Sequence, residues 1–331
     1  MVFFSIIIPF YNSRNVIKKC LSSIFKSRYK DFEVISVSDN SDKETINIVR
    51  KFNTKLILIN KNKGTAYARN LGAEHARGKY IIFVDSDIMI KKNHLSIIKK
   101  NILKYPSEVA FQGIYDSKIN YKSIVVTYLQ LYLCYYTFSK KIAFIKNLNG
   151  SFIIIKNLFF KKLKGFDKNF KSSNAEDADF GYKILENQKK IRILRDIKVT
   201  HMPQWTFKIF IEKILRIHTG EMKMFLRKQN IKNKITQLNY FPIIISILIL
   251  FIQLLISLFI FILPLKNFIL FNLFLFFLLL FFNFNFLKFI TKEKSFSICL
   301  KILPLFFIHI YLFIICFFKG FFEYYILNRK Y

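Results

Sequence analysis

Apolar and polar positions alternate over the first 90 residues in the pattern of strands and helices. The apolar, β-rich runs are "FFSIIIPF", "FEVISVSDN", "KLILIN" and "KYIIFVD", and such runs are typical of strands buried on both faces of a parallel sheet. Between the first two runs, apolar or small residues form a helical stripe at Val16, Ile17, Cys20, Leu21, Ile24 and Phe25. The order predicts an α/β fold with an open, mostly parallel, Rossmann-like sheet. Gly78, after "GTAYARNLGAEHA", is expected to end the third helix.

Polar groups follow three of these predicted strands, at Pro9 to Asn12, Ser38 to Asp42 and Asp85 to Asp87. Ligands of open α/β sheets bind outside the carboxyl ends of the strands. We therefore expect the binding site at this edge of the sheet.

Two carboxylates stand in the most apolar surroundings, in "KYIIFVDSDIMI". Asp85 and Asp87 are alternate residues of extended chain, so their side chains point the same way. Two like charges held together need a cation or a proton between them, and Mg²⁺ or Mn²⁺ prefers oxygen ligands of this kind. An aspartate-rich turn after a strand is the alternative.

A second group of acids opens a predicted helix in "SSNAEDADFGYKILENQKK". Ser172, Ser173 and Asn174 are capping candidates. Acids in a first turn complement the helix dipole, which accounts for one or two of Glu176, Asp177 and Asp179. Complementation of the dipole does not require a third acid, so the group favours a role in acid–base chemistry.

The last third of the chain is almost free of charge in three stretches, Pro242 to Leu265, Phe268 to Phe282 and Ile298 to Phe318. The first and third reach the roughly 20 residues that cross a bilayer, and the middle one does so if it continues through "NFNFL". We predict two or three transmembrane helices within residues 239–331. Residues 205–238, with Trp205 and Phe207 among basic side chains, predict amphipathic helices at the headgroup level. Packing against the catalytic domain is the alternative for that segment.

Composition agrees with a membrane protein, because the 331 residues are 53% hydrophobic with 41 Phe and a net charge of +33. The dispersed lysines favour contact with anionic membrane lipids, with no nucleic acid as partner. No basic leader precedes "FFSIIIPFYN", and basic residues crowd "FLRKQNIKNK" ahead of the first span. We therefore expect a multi-pass protein of the cell inner membrane or plasma membrane with its catalytic domain in the cytoplasm. The four cysteines lack metal or disulfide spacing.

Residues 4–201 resemble family 2 of the inverting nucleotide-sugar glycosyltransferases, whose catalytic domain has the GT-A fold. The resemblance rests on "SIIIPFYN", "VSDNSDKET", "GTAYARNLGAEHARGKYIIFVDSD", and "GFDKNF" followed by "AEDADFGYKI", in that order. It implies a catalytic domain over residues 1–204, with a donor half to about residue 90 and an acceptor half from 91 to 204. "DNSDKET" is shorter than the loop usual in the family.

The same resemblance implies the roles of individual residues. The implied ligands of a divalent metal, Mn²⁺ or Mg²⁺, are Asp85, Asp87 and His201. Asp177 would be the general base, and Glu176 would position the acceptor or brace the site. The implied contacts to the nucleotide-sugar donor are Pro9, Tyr11, Asn12, Asp39, Arg69, Asp85 and Ser86. A solvated surface arginine is the alternative for Arg69, and a structural histidine for His201.

The resemblance implies an inverting hexosyltransferase that uses a UDP- or GDP-sugar. "PQWTF" does not match the QxxRW motif of processive members, which favours addition of a single sugar. Membrane attachment favours a lipid-linked saccharide or glycan acceptor in cell-surface polysaccharide synthesis. Two alternatives stay open: a polyprenyl-phosphate sugar synthase, which needs no strong base, and a membrane protein that binds nucleotide without turnover.

Overall fold

A computed structural model describes residues 2–138, 143–145, 148–170, 175–227, 240–257 and 264–330. It divides into two compact units, unit 1 with Met1–Asp116 and Lys141–Gln204, and unit 2 with Ser117–Lys140 and Trp205–Lys330. The residues from 117 to 140 belong to unit 2, whereas the sequence-based division assigned them to the acceptor half. The capping candidates Ser172, Ser173 and Asn174 lie outside the described residues.

The first half of unit 1 alternates strand and helix as predicted. Its elements are β1 (Phe4–Phe10), α1 (Arg14–Phe25), β2 (Phe32–Asp39), α2 (Lys43–Val49), β3 (Lys55–Ile59), α3 (Thr65–Glu74) and β4 (Tyr80–Val84). All residues of β1 and β4 are buried, as expected for central strands covered on both faces. Strands β3, β2, β1 and β4 are neighbours in this order, and each pair is parallel.

The second half adds strands of both directions. Its elements are β5 (Ile88–Met89), α4 (His94–Lys104), β6 (Ala110–Tyr115), α5 (Ile124–Leu133, part of unit 2), β7 (Phe144–Ile145), β8 (Phe152–Lys156), α6 (Asn157–Lys162), α7 (Glu176–Glu186) and β9 (Ile191–His201). The sheet continues from β4 through β8, β6 and β9 to β5, and β7 pairs with β9. Strand β8 is antiparallel to β4 and β6, whereas β6 and β9 are parallel. The predicted α/β fold is confirmed, and the antiparallel pairs lie in its second half.

Gly78 does not end a helix, so that expectation is wrong. Helix α3 ends at Glu74 with His75 as its C-cap. The Gly78 N–H donates to Oγ of Ser5 at 2.7 Å, and a Cβ at Gly78 would collide with the Ser5 backbone. The glycine is therefore required because two backbones approach closely at the start of β4.

Unit 2 is helical in the residues described. After α5 come a π-helical turn (Cys134–Phe138), α8 (Phe207–Arg227), α9 (Tyr240–Ser257), α10 (Leu265–Phe282), α11 (Phe284–Glu293) and α12 (Phe296–Tyr325). Its core includes the fully buried rings of Tyr128, Phe210, Phe286 and Phe306. Within the described ranges, α10 and α12 are long and apolar enough to cross a membrane by length and composition.

The three predicted spans correspond to these helices with two differences. Helix α9 covers the first span up to Ser257, and residues 258–263 lie outside the described part. Helix α10 ends at Phe282 because Asn283 is both its C-cap and the N-cap of α11. The expected continuation of the middle span through "NFNFL" is therefore wrong.

Candidate active site

Asp85 and Asp87 lie where β4 leaves the sheet. The Asp85 N–H donates to the Ser151 carbonyl at 3.0 Å, just before β8 begins. The two carboxylates keep 34% and 30% of their side-chain surface exposed. They therefore lie at the end of a buried strand and keep part of their surface open to solvent.

His201 ends β9 and reaches the same place through the short strand β5. Strands β5 and β9 are antiparallel, with Ile88 opposite His201. Nε2 of His201 lies 3.0 Å from Oδ2 of Asp87. The ring of Tyr115 stacks on the His201 imidazole at 4.9 Å between centroids and 11° between planes. The structure thus brings together two of the three predicted metal ligands.

Arg69 projects from α3 into the interior and is only 2% exposed. Its Nη2 lies 2.8 Å from Oδ1 of Asp85, and its Nη1 lies 3.1 Å from Oε1 of Glu176. Nη2 also donates to the Gly150 carbonyl at 3.1 Å. The alternative of a solvated surface arginine is wrong, since the guanidinium links the β4 end to the start of α7.

Glu176 and Asp177 begin α7 and have different surroundings. Glu176 is buried against Arg69, whereas Asp177 is half-buried. The two carboxylate oxygens of Asp177 accept N–H donors from Gly150 at 2.7 Å and Ala178 at 2.8 Å. These bonds fix the orientation of the Asp177 carboxylate.

Burial shifts the titration of all three carboxyl groups around Arg69. It raises the pKa of Glu176 to about 7, with the Asp177 charge adding to the rise and Arg69 opposing it. Burial raises the pKa of Asp177 as well, and the charge of Arg69 again opposes the rise. The pKa of Asp85 is raised by burial, lowered by Arg69 and raised again by Asp87. Proton-binding groups are thus concentrated at one point of the sheet edge.

The side predicted to hold the nucleotide is built around Asp39, at the end of β2. Its buried carboxylate accepts the N–H groups of Lys63 and Gly64, both at 2.8 Å. Gly64 has φ +89° as the N-cap of α3, a conformation that glycine adopts without strain. Asp39 therefore shapes the loop that leads into α3.

The remaining predicted donor residues lie along the same edge. Pro9 is buried in β1, Tyr11 is 54% exposed, and Ser86 is half-buried between the two aspartates. Oδ1 of Asn12 accepts the Asp42 N–H at 2.9 Å, which ties the β1 turn to the short "DNSDKET" loop. Tyr11 thus presents an aromatic face to solvent at the site.

The donor set fits a divalent ion that a substrate helps to hold. Within the described part of the chain, no three His, Cys, Asp or Glu side chains form a metal cluster. Asp87 and His201 supply two donors. Mg²⁺ sites commonly combine one or two carboxylates with water and substrate phosphates, and carboxylates suit Mn²⁺ as well.

Sequence reasoning missed two parts of this site. The turn at Gly150 contacts both Arg69 and Asp177, and its small residues in "LNGS" were the only signal. Tyr115 stacks on His201 and donates its hydroxyl to Oδ1 of Asn149 at 3.3 Å. Nothing in the sequence marks that tyrosine.

Residues 5–163 match the family described as Glycosyl transferase family 2. The chain carries a glycosyl transferase family 2 domain. The predicted family is thereby confirmed, and the match includes the Asp85–Asp87 turn and Arg69.

Curated relatives of the glycosyl transferase family 2 domain bear glycosyltransferase names. The chain is 33% identical over 116 residues to glycosyltransferase GlyA of Streptococcus pneumoniae serotype 4, covering 34% of this chain and 17% of GlyA. It is 30% identical over 211 residues to the poly(ribitol-phosphate) beta-N-acetylglucosaminyltransferase TarS of Staphylococcus aureus, covering 59% of this chain and 35% of TarS. The chain thus spans well under half of these relatives.

Solved structures confirm the GT-A fold. The mannosyltransferase PcManGT from Pyrobaculum calidifontis, in complex with GDP-Man and Mn²⁺, aligns with a TM-score of 0.60 at 15% identity, over 97% of this chain and 88% of that one. S. aureus TarS 1–349 in complex with UDP aligns with a TM-score of 0.50 at 22% identity, over 72% and 74%. At these identities the likeness is one of fold.

Proposed function

We propose that the chain is a membrane-attached, metal-dependent, inverting glycosyltransferase. It transfers one sugar from a UDP- or GDP-sugar to a lipid-linked saccharide or glycan acceptor in cell-surface glycan synthesis. The observation that carries the proposal is the Arg69 bridge, which holds Asp85 at 2.8 Å and Glu176 at 3.1 Å on either side of one guanidinium.

The bridge joins two chemical functions that the reaction requires close together. The Asp85–Asp87 turn with His201 faces the donor diphosphate, and Asp177 faces the acceptor. Gly150 is common to both sides, because its carbonyl accepts from Arg69 and its N–H donates to Asp177. Gly150 therefore links the donor side and the acceptor side through a single residue. Such a link keeps the distance between them constant, and catalysis by proximity depends on that distance.

Asp177 is the general base of the proposed reaction. It takes the proton of the acceptor hydroxyl while that oxygen forms a bond to the anomeric carbon. The bond from this carbon to the donor phosphate breaks, and its electron pair leaves with the nucleoside diphosphate. The raised pKa of Asp177 brings the base closer to neutral pH, where proton transfer is most efficient.

Glu176 and Arg69 position the other groups. Glu176 is buried on Arg69 and therefore braces the guanidinium that orients Asp85. Asp87 and His201 would hold the divalent ion, and an imidazole donor favours Mn²⁺ over Mg²⁺. When bound, the ion neutralises charge on the departing diphosphate.

The donor and acceptor classes are supported by this chain and by its relatives. Asp39, Tyr11 and Asn12 lie at the strand ends where a nucleoside would bind. TarS is named for N-acetylglucosamine transfer to poly(ribitol-phosphate), and PcManGT is described with GDP-Man. The apolar helices α10 and α12 support attachment to a membrane and therefore a lipid-linked acceptor.

A paired binding and turnover assay tests the proposal. Detergent-purified protein is titrated with UDP, GDP and CDP with and without Mn²⁺, and the corresponding nucleotide-sugars are supplied with a membrane lipid extract. Asp87→Asn should lose metal-dependent binding and turnover. Asp177→Asn should keep binding and lose turnover by about 10²- to 10⁴-fold. Asp196→Asn, an exposed position on β9, is the matched control.

The outcomes separate the alternatives. Substantial turnover by Asp177→Asn would favour a polyprenyl-phosphate sugar synthase. Nucleotide binding by the wild type without product from any donor would favour a binding protein without catalysis. No binding of any nucleotide would overturn the proposed donor site.

A further inference from the structure

A cavity of about 500 Å³ lies within unit 2, where the segment before α5 meets the turn between α11 and α12. Three lysines line it, Lys118, Lys292 and Lys294. We call it the lysine pocket. No residue of the candidate active site contributes to its lining.

Hydrogen bonds between the two segments frame the lysine pocket. Nζ of Lys294 donates to the Ile119 carbonyl at 2.8 Å and to Oδ1 of Asn120 at 2.9 Å. The Ser117 hydroxyl donates to Oε2 of Glu293 at 2.8 Å. These contacts hold both walls in place, so the pocket is formed without a ligand.

Charge and size indicate the class of ligand. Glu293 is the one acid against three lysines in the lining, which leaves the pocket net positive. Its volume falls within the range of organic ligand sites, about 300–1,000 Å³. A phosphate that carries an organic group matches both the charge and the volume.

The surroundings of the pocket are apolar on one side. Helix α12, a candidate membrane span, begins at Phe296, directly after the lining residue Ser295. Phe296 is 65% and Leu300 51% exposed, and Ile298 lines the pocket itself. Basic pockets between membrane helices bind the headgroups of anionic lipids.

We propose that the lysine pocket binds the phosphate headgroup of an anionic membrane lipid. The ammonium groups of Lys118 and Lys292 contact the phosphate, Lys294 keeps the pocket walls together, and the acyl chains lie along Phe296 and Leu300. The proposal goes beyond sugar transfer and depends only on attachment to a membrane. It can fail while the transferase proposal stands, because its test measures lipid binding.

Native mass spectrometry of the detergent-purified full chain tests the proposal. The probes are short-chain phosphatidylglycerol, phosphatidylcholine of equal chain length, and inorganic phosphate. We expect one tight phosphatidylglycerol per chain and at least about tenfold weaker binding after Lys118→Gln with Lys292→Gln. Lys288→Gln with Lys301→Gln removes the same charge from exposed positions on α11 and α12 outside the pocket. That control should change the affinity less than about twofold.

Each contrary result overturns a defined part of the proposal. Equal weakening in both double variants would mean that overall charge, and not the pocket, attracts the lipid. Equal affinity for phosphatidylcholine would remove the role of an anionic headgroup. Competition by inorganic phosphate at the same concentration would make free phosphate the ligand and overturn the assignment to a lipid.

Discussion

Nε2 of His201 lies 3.0 Å from Oδ2 of Asp87, although the two residues are 114 positions apart in the chain. The last strand of unit 1 makes this possible, because β9 pairs with the two-residue strand β5 directly after Asp87. The Met202 N–H also donates to the Asp87 carbonyl at 2.8 Å. The donor side of the site is therefore complete only when the end of the acceptor half has folded onto it.

Removal of His201 tests its role as a ligand. We expect His201→Ala to raise the Mn²⁺ concentration needed for nucleotide binding by at least about 10- to 100-fold, because that loss is already typical of groups that only orient the ligands of a metal. Titration of Mn²⁺ at fixed nucleotide measures the change. His75→Ala, at an exposed position after α3, should leave the titration unchanged. An unchanged Mn²⁺ requirement in His201→Ala would make the histidine structural.

Arg69 is expected to be the most sensitive position of the site to substitution. Arg69→Met removes the cation from two carboxylates, and breaking such a buried pair costs about 3–5 kcal/mol in the free energy of unfolding. Adding Glu176→Gln should recover part of that loss, because one uncompensated charge is then absent. Arg69→Lys keeps the charge but not the two-armed geometry, so nucleotide binding should also weaken.

Arg77 provides the matched control for Arg69. Its side chain is 77% exposed and pairs with Glu33 on the surface. Arg77→Lys should change stability by less than about 1 kcal/mol. Thermal melts of all four variants in one detergent compare the effects. Equal losses at Arg69 and Arg77 would contradict the bridge described here.

Local patterns were sufficient to predict the donor half. Four apolar runs predicted β1 to β4, and alternation in "DSD" predicted that Asp85 and Asp87 share an edge. Both inferences depend on residues within one strand or its end. Strand periodicity and the residues at strand ends were therefore enough to predict these strands and the position of the two aspartates.

Long-range contacts were not predictable in the same way. Arg69 was predicted as a contact to the donor, with a solvated surface arginine as the alternative, yet its partners in the structure come from β4, α7 and the Gly150 turn. Gly78 is fixed by the backbone of β1, which its own neighbours do not reveal. Residues 117–140 join unit 2 through packing of α5 with helices more than 70 residues away. Such relationships depend on tertiary packing.

The pKa of Glu176 predicts a pH dependence of stability. Because burial raises this pKa from 4.5 to about 7, the folded state binds a proton that the unfolded state releases. The stabilisation is fully present below pH 4.5 and is lost as the pH rises through about 7. Glu176→Gln mimics the protonated form and should remove this dependence of the free energy of unfolding on pH. The difference in melting temperature between wild type and Glu176→Gln should therefore fall from pH 5 to pH 7.5.

Glu186→Gln, at an exposed position on the same helix, is the control for this profile. The difference in melting temperature between wild type and Glu186→Gln should stay constant from pH 5 to pH 7.5. A constant difference for Glu176→Gln would mean that Arg69 keeps Glu176 ionised throughout.

Four hydrogen-bonding side chains of unit 2 form a chain across α5, α12 and α8, in which Tyr128 and His309 are buried and His218 and Glu221 are partly exposed. The Tyr128 hydroxyl lies 2.7 Å from Nδ1 of His309, and Nε2 of His309 lies 3.0 Å from Nε2 of His218. Nδ1 of His218 lies 2.7 Å from Oε2 of Glu221. These contacts are all satisfied when the Tyr128 hydroxyl donates to Nδ1 of His309, Nε2–H of His309 donates to Nε2 of His218, and Nδ1–H of His218 donates to the Glu221 carboxyl oxygen. One arrangement of protons thus satisfies every member of the chain.

Tyr128→Phe should therefore lower the free energy of unfolding by about 1–3 kcal/mol, because it leaves a buried nitrogen of the His309 imidazole without its hydrogen-bond donor. In a double-mutant cycle with His309→Leu, we expect an interaction energy of about 0.5–3 kcal/mol, because the second substitution removes the group that the first leaves unpaired. Chemical denaturation in detergent measures the four variants. Tyr311→Phe, on the partly exposed side of α12, controls for loss of a hydroxyl and should be neutral. Additive losses at Tyr128 and His309 would mean that the two side chains stabilise unit 2 independently and that the chain has no cooperative role.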